Sequence, residues 1–200
     1  MKNRFILSIK ILIHRVYLYW RRLNGSHRNA YQVSIVVLNF NRRHLLEKTL
    51  NSLTATAPRS MEIWVIDNAS TDDSVRWLKD WAATRSFIRL QLNHNNQGGE
   101  AFNKVLRKCS GNYVLISEND LEYMPGWFEK LSKPFEVFSN LGILSPLTPF
   151  PDIDSGEFWT SKPHRESEKS GLKIHEALTN IGTSAFFPRK LLDKGIYYKT

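Results

Sequence analysis

Four short runs rich in β-branched and aliphatic residues, VSIVVL (33–38), EIWVI (62–66), FIRLQL (87–92) and NYVLI (112–116), have the length and composition of strands. Between them lie three stretches with apolar residues at helical spacing: RHLLEKTLNSL, carrying Leu45, Leu46, Thr49, Leu50 and Leu53, then SVRWLKDWAA, then GEAFNKVLRKC. A β-α-β-α-β-α-β order leaves few options. The strands must run parallel in one sheet, and the helices must return right-handed across its faces. The chain is therefore expected to be α/β, a mostly parallel, Rossmann-like sheet covered by helices.

Open sheets of this kind bind ligands beyond the carboxyl ends of their strands. The residues there are NFN (39–41), DNASTDD (67–73), NHNNQGG (93–99) and SENDLE (117–122). Any soluble protein has polar loops, but four of them converging on one sheet edge define a candidate cleft. Beyond residue 125 the pattern changes. PGWFEKLSKPFEVF reads as an amphipathic helix opened by Pro125, with Pro134 placed to kink it. GILSPL (142–147) reads as a fifth strand, residues 148–177 as a long, nearly strandless polar loop, and NIGTSAFFPRKLLDKGI as strand, turn and short helix.

With 200 residues, 42% of them hydrophobic, the chain can bury one full core. Its formal charge of +9 suggests a nucleic-acid binder until the charge is located: nine of the 28 Lys/Arg and none of the acids fall in residues 1–46, and the remainder cancels. No nucleic-acid partner is expected. The single cysteine, Cys109, excludes an intrachain disulfide and a multi-cysteine zinc site; it falls in an expected helix. The segment FILSIKILIHRVYLYWRR is interrupted by Lys10, His14 and Arg15, too early for the roughly 20 apolar residues of a membrane span. Its aromatic end (Tyr17, Tyr19, Trp20) and basic flank suit an amphipathic helix lying on an anionic membrane surface, or one docked on the body. Residues 1–30 are thus expected to be a membrane-associating helix with its linker. Residues 31–200 would be one domain in two parts, 31–130 and 131–200. A cytoplasmic, peripherally membrane-associated protein follows.

Three motifs carry chemistry. Ser70-x-x-Asp73 before a helical run has the form of a capping box, whereas Asp67, at the strand end, is expected to hold its carboxylate free for a base or ribose. Gly98-Gly99 between strand and helix would let a ligand approach the backbone, or simply form a tight turn; the surrounding residues match neither G-x-G-x-x-G nor a P-loop. Glu118-Asn119-Asp120 sets two carboxylates on one side of an extended chain. Such carboxylates repel one another unless a cation or donor is present, so the motif is either a solvated turn or half of a Mg²⁺ or Mn²⁺ site.

Taken in order, VSIVVLNFNR, IWVIDNASTDDS, NNQGGEAFN and GNYVLISENDLEYMPGWFEKL resemble the nucleotide-sugar-binding half of family-2 glycosyltransferases, which have the GT-A fold. The resemblance covers residues 33–130 closely and 131–197 loosely. It implies a metal-dependent, inverting transfer of a sugar from a nucleoside-diphosphate donor, a UDP-sugar above all, to a hydroxyl of a saccharide or lipid-linked acceptor in glycan or polysaccharide biosynthesis. By position it places Asn39, Phe40 and Asn41 along the nucleotide pocket, Asp67 on the base or ribose, and Asn96, Gly98, Gly99 and Asn103 beside the base and sugar-phosphate. Glu118, Asn119 and Asp120 stand at the family's D-x-D, with Glu118 near ribose or metal and Asp120 on Mn²⁺ or Mg²⁺. IGTSAFFPR (181–189) would lie near the donor sugar and acceptor. Glu118 departs from the family's first Asp.

The family's general base usually lies further downstream than KGIYYKT, so the candidates within the chain are loop carboxylates, Asp152, Asp154 and Glu157, with His164 and His175 as further proton carriers. None has a motif around it. The alternatives to an active enzyme are a truncated or non-catalytic nucleotide-sugar-binding or scaffolding protein at the membrane surface, and an adaptor driven by the basic end alone.

Overall fold

The computed structural model describes residues 30–145, 165–176 and 184–195. Of the membrane-associating helix and linker expected over residues 1–30, residues 1–29 lie outside the described residues, as do the candidate bases Asp152, Asp154 and Glu157, and His164. So do residues 181–183 and the side chain of His175.

The expected alternation is present: β1 (Tyr31–Asn39), α1 (Arg43–Thr56), β2 (Met61–Asp67), α2 (Ser74–Ala83), β3 (Ile88–Leu92), a 3₁₀ turn (Gly98–Glu100) running into α3 (Ala101–Leu106), β4 (Gly111–Glu118) and α4 (Trp127–Val137). A hairpin β5 (Arg165–Lys169) and β6 (Leu172–Glu176), then β7 (Ser184–Pro188) and α5 (Lys190–Asp193), complete the described elements. The main sheet has the order β3-β2-β1-β4-β7; its first four strands are parallel, and β7 runs antiparallel to β4. The chain moves outward from β1 to β2 and β3, then crosses to the other side of β1 to lay down β4. The strand order therefore reverses between β1 and β4, and a crevice opens at such a switch point.

Alternation along β1 divides the core. Val33, Ile35 and Val37 face Leu46, Leu50 and Leu53 of α1, Leu78 of α2 and Phe128 and Leu131 of α4. Val36 joins Ile66, Val114 and Ile116 beneath Phe102, Val105 and Leu106 of α3 and Leu192 of α5. All these side chains are buried, and both faces of the sheet are covered, as a parallel sheet requires. Phe186 fastens β7 to the sheet: its ring stacks on Tyr113 at 5.0 Å and meets Phe128 edge-on at 6.1 Å.

At the amino end of the sheet, β4 begins against the backbone of β1. The Gly111 N–H donates to Ser34 Oγ at 2.8 Å, and Ser34 Oγ donates to Glu62 Oε1 at 2.6 Å. Glu62, only 4% exposed, also accepts from Ser110 N at 2.8 Å and from the Trp64 indole at 3.2 Å. Its buried carboxylate is therefore met by donors from β1, from its own strand and from the turn before β4.

Several local expectations change. Of GILSPL, residues 142–145 are described, and there only an isolated bridge from Leu144 to Phe186 forms, with N···O distances of 2.8 and 2.9 Å, in place of the expected strand. The polar stretch expected to be nearly strandless contains the β5–β6 hairpin. Its turn places Ser170 and Gly171 at φ 52° and 72°, the left-handed pair that a two-residue hairpin turn needs. Helix α4 starts after Gly126 (φ 78°) rather than at Pro125, and Pro134 lies inside it without ending it. Cys109 follows α3 instead of lying in it, with its thiol against the Val105 carbonyl.

Candidate active site

The cleft at the switch point has a volume of about 430 Å³, the size range of small-molecule pockets. Phe40 and Arg42 line it from the loop after β1, Asn68 from the loop after β2, and Asn96, Gly98 and Gly99 from the loop after β3. Glu118 and Asn119 contribute from the end of β4, Ser184 and Ala185 from β7, and Leu38, Phe102 and Ile116 form an apolar floor. Of the expected binding residues, Phe40, Asn96, Gly98, Gly99, Glu118 and Asn119 thus face one space. Asn103, on α3, and Asn41 do not line it.

Asn39 and Asp67 occupy a different place from the one expected. Both are buried, 0% and 1% exposed, and bonded to each other: Asn39 Nδ2 donates to Asp67 Oδ2 at 2.8 Å. Asp67 also accepts from the hydroxyl of Ser70 at 2.6 Å and from its N–H at 2.9 Å. Three donors thus meet a carboxylate that is 1% exposed and is not among the residues lining the cleft, where the sequence leads one to expect it free for a base or ribose. The capping box does not form either. Ser70 Oγ instead accepts from Asn39 Nδ2 and from the Asn41 N–H, at 3.1 and 2.7 Å, and it is Asp72 that receives the Ser74 N–H of α2 at 3.0 Å. Asp72 Oδ2 accepts the Arg43 N–H of α1 at 3.1 Å as well, so one carboxylate serves two helix starts.

The network continues to β4. Asn119 Nδ2 donates to Asn39 Oδ1 at 2.6 Å and to the Asn41 carbonyl at 3.1 Å. On the other side Asn68, 2% exposed, donates to Asn96 Oδ1 at 2.7 Å and accepts from Asn93 Nδ2 and the Gln97 N–H at 3.2 and 3.0 Å. Asparagine side chains, each both donor and acceptor, thereby tie four strand-end loops into one rim. Asn68 was not singled out in the sequence, although it directly follows Asp67.

Arg42 was not singled out either. It and Asn41 are consecutive non-glycine residues with left-handed backbone, φ 60° and 58°, a conformation disfavoured for L-residues. Surrounding bonds hold it in place: Asn41 Oδ1 accepts from Thr71 N at 2.8 Å, besides the bonds from Asn41 to Ser70 and Asn119 already named. The Arg42 guanidinium reaches β4, donating to Asp120 Oδ2 at 3.0 Å and to Asn119 Oδ1 at 2.8 Å.

Burial, then the charge of Asp120, push the Glu118 carboxyl above its ordinary range, while Arg42 partly offsets them. That is the mutual repulsion expected of acidic-x-acidic, and a cation beside the pair relieves it. The two carboxylates fit Mg²⁺ or Mn²⁺, which take one or two protein carboxylates and fill the rest of their sphere with phosphate and water oxygens. Among the described residues no group of three or more His, Cys, Asp and Glu converges. No helix among the described residues is long and apolar enough to cross a membrane.

The strand order and the helices on both faces define a doubly wound α/β sheet with its cleft at the switch point. Residues 34–196 match the family model described as glycosyl transferase family 2, and the chain belongs to that family. An uncharacterised glycosyltransferase of Nostoc sp. is 26% identical over 153 residues, 75% of this chain and 45% of that protein. The GalNAc(5)-diNAcBac-PP-undecaprenol beta-1,3-glucosyltransferase of Campylobacter jejuni is 32% identical over 97 residues, 48% of this chain and 31% of that protein. The chain thus spans less than half the length of these curated relatives. Among solved structures, a mannosyltransferase from Pyrobaculum calidifontis in complex with GDP-Man and Mn²⁺ superposes with a TM-score of 0.64 at 23% identity, over 84% of this chain and 48% of that one. S. aureus TarS (residues 1–349) in complex with UDP-GlcNAc gives 0.61 at 17%, again over 84% and 48%. The mostly parallel, helix-flanked sheet is that of GT-A glycosyltransferases.

Proposed function

We propose that this chain carries the donor-binding half of a metal-dependent, inverting glycosyltransferase that takes a nucleoside-diphosphate sugar, a UDP-sugar first among them, and glycosylates a saccharide or lipid-linked acceptor. The observation that carries the reading is the meeting, in one cleft at the switch point, of an exposed aromatic ring (Phe40), a two-glycine loop (Gly98, Gly99) and a strand end bearing Glu118; Asp120, two residues on, does not line the cleft itself but is bonded to Arg42, which does. Phe40, 44% exposed, offers a face for a base. Gly98, at φ 53°, brings its backbone to the cleft without a side chain. Asn96 and Asn119 supply amide donors and acceptors, and Arg42 a guanidinium suited to phosphate. Neighbours solved with GDP-Man and Mn²⁺ and with UDP-GlcNAc support a nucleotide sugar as the donor.

In the reaction the bond between the anomeric carbon and the diphosphate oxygen breaks, its electron pair leaving with the diphosphate. The acceptor oxygen attacks the opposite face, and its proton passes to a carboxylate base. A divalent ion, when bound, neutralises the leaving diphosphate. Glu118 and Asp120 would hold it, Asn119 keeps their turn in register, and Ser184 and Ala185 bound the sugar side of the cleft. The basic first segment would keep the protein at the cytoplasmic face of a membrane, close to lipid-linked acceptors.

A second reading, a non-catalytic nucleotide-sugar binder, draws on one observation: Asp120 is already engaged by Arg42. Calorimetry with UDP, with and without Mn²⁺, on wild type and Asp120→Asn, combined with donor-hydrolysis and transfer assays, separates the two. The enzyme reading expects Mn²⁺-dependent UDP binding that falls at least about tenfold in Asp120→Asn, together with turnover. Metal-dependent binding without turnover favours the binder, and turnover indifferent to chelator and to Asp120→Asn removes the metal assignment.

A further inference from the structure

We infer that Arg42 is the resident cation of the donor site: it holds the Asp120 carboxylate before donor arrives, keeps free divalent metal off it, and releases it when a diphosphate draws the guanidinium away. The inference rests on the nucleotide-sugar reading above.

Three observations converge on this residue. Its guanidinium spans two neighbouring side chains of the β4 turn, Asp120 at 3.0 Å and Asn119 at 2.8 Å. Its backbone is left-handed, as is that of Asn41 before it; bonds from the β2 and β4 loops pin Asn41, and the Arg42 carbonyl accepts the Leu45 and Leu46 N–H groups at the start of α1. Strained backbone persists where the surroundings over-determine it, and here the strain directs an arginine from the end of β1 across the switch point. Finally, the side chain lines the cleft and is 49% exposed, so it can exchange partners without unpacking the core.

The exchange follows from charge. A divalent ion binding to Asp120 Oδ2 must displace a guanidinium nitrogen and then share the site with a positive charge, which weakens metal binding in the absence of nucleotide. A diphosphate offers the guanidinium a two-oxygen partner of higher charge than one carboxylate. When Arg42 moves to it, Asp120 becomes free for metal. Nucleotide and metal then favour each other's binding, and by linkage the coupling is the same in both directions.

The test uses the full chain, with free Mn²⁺ followed by electron paramagnetic resonance and UDP by calorimetry in chelator. Arg42→Gln is expected to bind Mn²⁺ alone about tenfold more tightly than wild type and metal-free UDP about tenfold more weakly, so that the coupling between the two collapses. Arg42→Lys, which keeps the charge but cannot span both partners, is expected to fall between them, and it serves if the glutamine variant does not fold. Unchanged or weakened Mn²⁺ affinity in both variants overturns the inference. Wild-type Mn²⁺–UDP binding that is absent, or that survives Asp120→Asn unaltered, removes the metal-site reading and this inference with it. Intact, Asp120-dependent binding with inert Arg42 variants removes the inference alone.

Discussion

Tyr123 carries its hydroxyl into a buried corner, donating to Ser117 Oγ at 2.8 Å one residue before Glu118. Burial raises its phenol to about 12 from an ordinary value of 10.0, against the smaller lowering influence of the Ser117 and Ser184 hydroxyls. The folded state therefore holds this proton more tightly than the unfolded chain. The corresponding stability is complete below pH 10, declines as pH rises and is gone above about pH 12. A shift of two units corresponds to about 3 kcal/mol. Denaturant unfolding of wild type and Tyr123→Phe between pH 8 and 12 is expected to show a steeper alkaline loss in wild type by up to about that amount. At this scale the sequence was half legible. Phe40, Asn96, the glycines and Glu118 could be placed because they follow strands. The bond between Asn39 and Asp67 is not legible because the two lie 28 positions apart, and side-chain direction at a strand's last residue is decided by such partners. Arg42 escaped notice because a loop arginine ordinarily reads as solvated, and no residue pattern announces a left-handed pair lacking glycine.

Helices α1 and α2 and the four parallel strands could be read from periodicity because each buries one stripe or both faces, so core contact is written into the spacing. The β5–β6 hairpin could not. Its residues, RESEK and LKIHE, are mostly polar, and among the described residues it pairs only with itself, held in part by a Lys173–Glu166 ion pair at 2.8 Å. A second hidden feature is the approach of β4 to β1. A Cβ on Gly111 would stand 2.4 Å from Ser34 N and 2.6 Å from the Val33 carbonyl carbon, both backbone atoms with nowhere to move. Gly111→Ala is expected to cost about 3 kcal/mol or more. At Gly142 a Cβ meets nothing within 4 Å, so Gly142→Ala should lie within about 0.5 kcal/mol of wild type. Thermal melts of the two variants make the comparison.

Across the molecule, strand order predicts a gradient of protection. β1 has parallel neighbours on both sides, β2 and β4, and lies 0% exposed over Val33–Val37, whereas the two-stranded sheet stands apart. Amide exchange is expected to be slowest in β1 and fastest, among the strands, in β5 and β6, since a lone hairpin is only marginally stable. Charge is distributed just as unevenly. Deleting residues 1–30 removes seven Lys/Arg and no acid, and should abolish binding to anionic vesicles while leaving UDP affinity unchanged; sedimentation with vesicles at two salt concentrations, alongside calorimetry, reads both. The sheet and its ligand edge were legible in advance because alternation fixes where carboxyl ends gather. The switch point itself was not, because strand order depends on crossovers that composition does not record.

The asparagine rim has one further consequence. Asn39, Asn68, Asn93, Asn96 and Asn119 bind the loops by amide contacts, and an amide neither titrates nor carries a charge for salt to screen. The parts that answer to protons, ions and phosphate, namely Glu118, Asp120 and Arg42, are mounted on a frame made mostly of neutral amides, closed between β1 and β2 by the buried Asp67 carboxylate. Swings in acidity or ionic strength should therefore alter how strongly this cleft attracts a ligand while leaving the outline it presents the same.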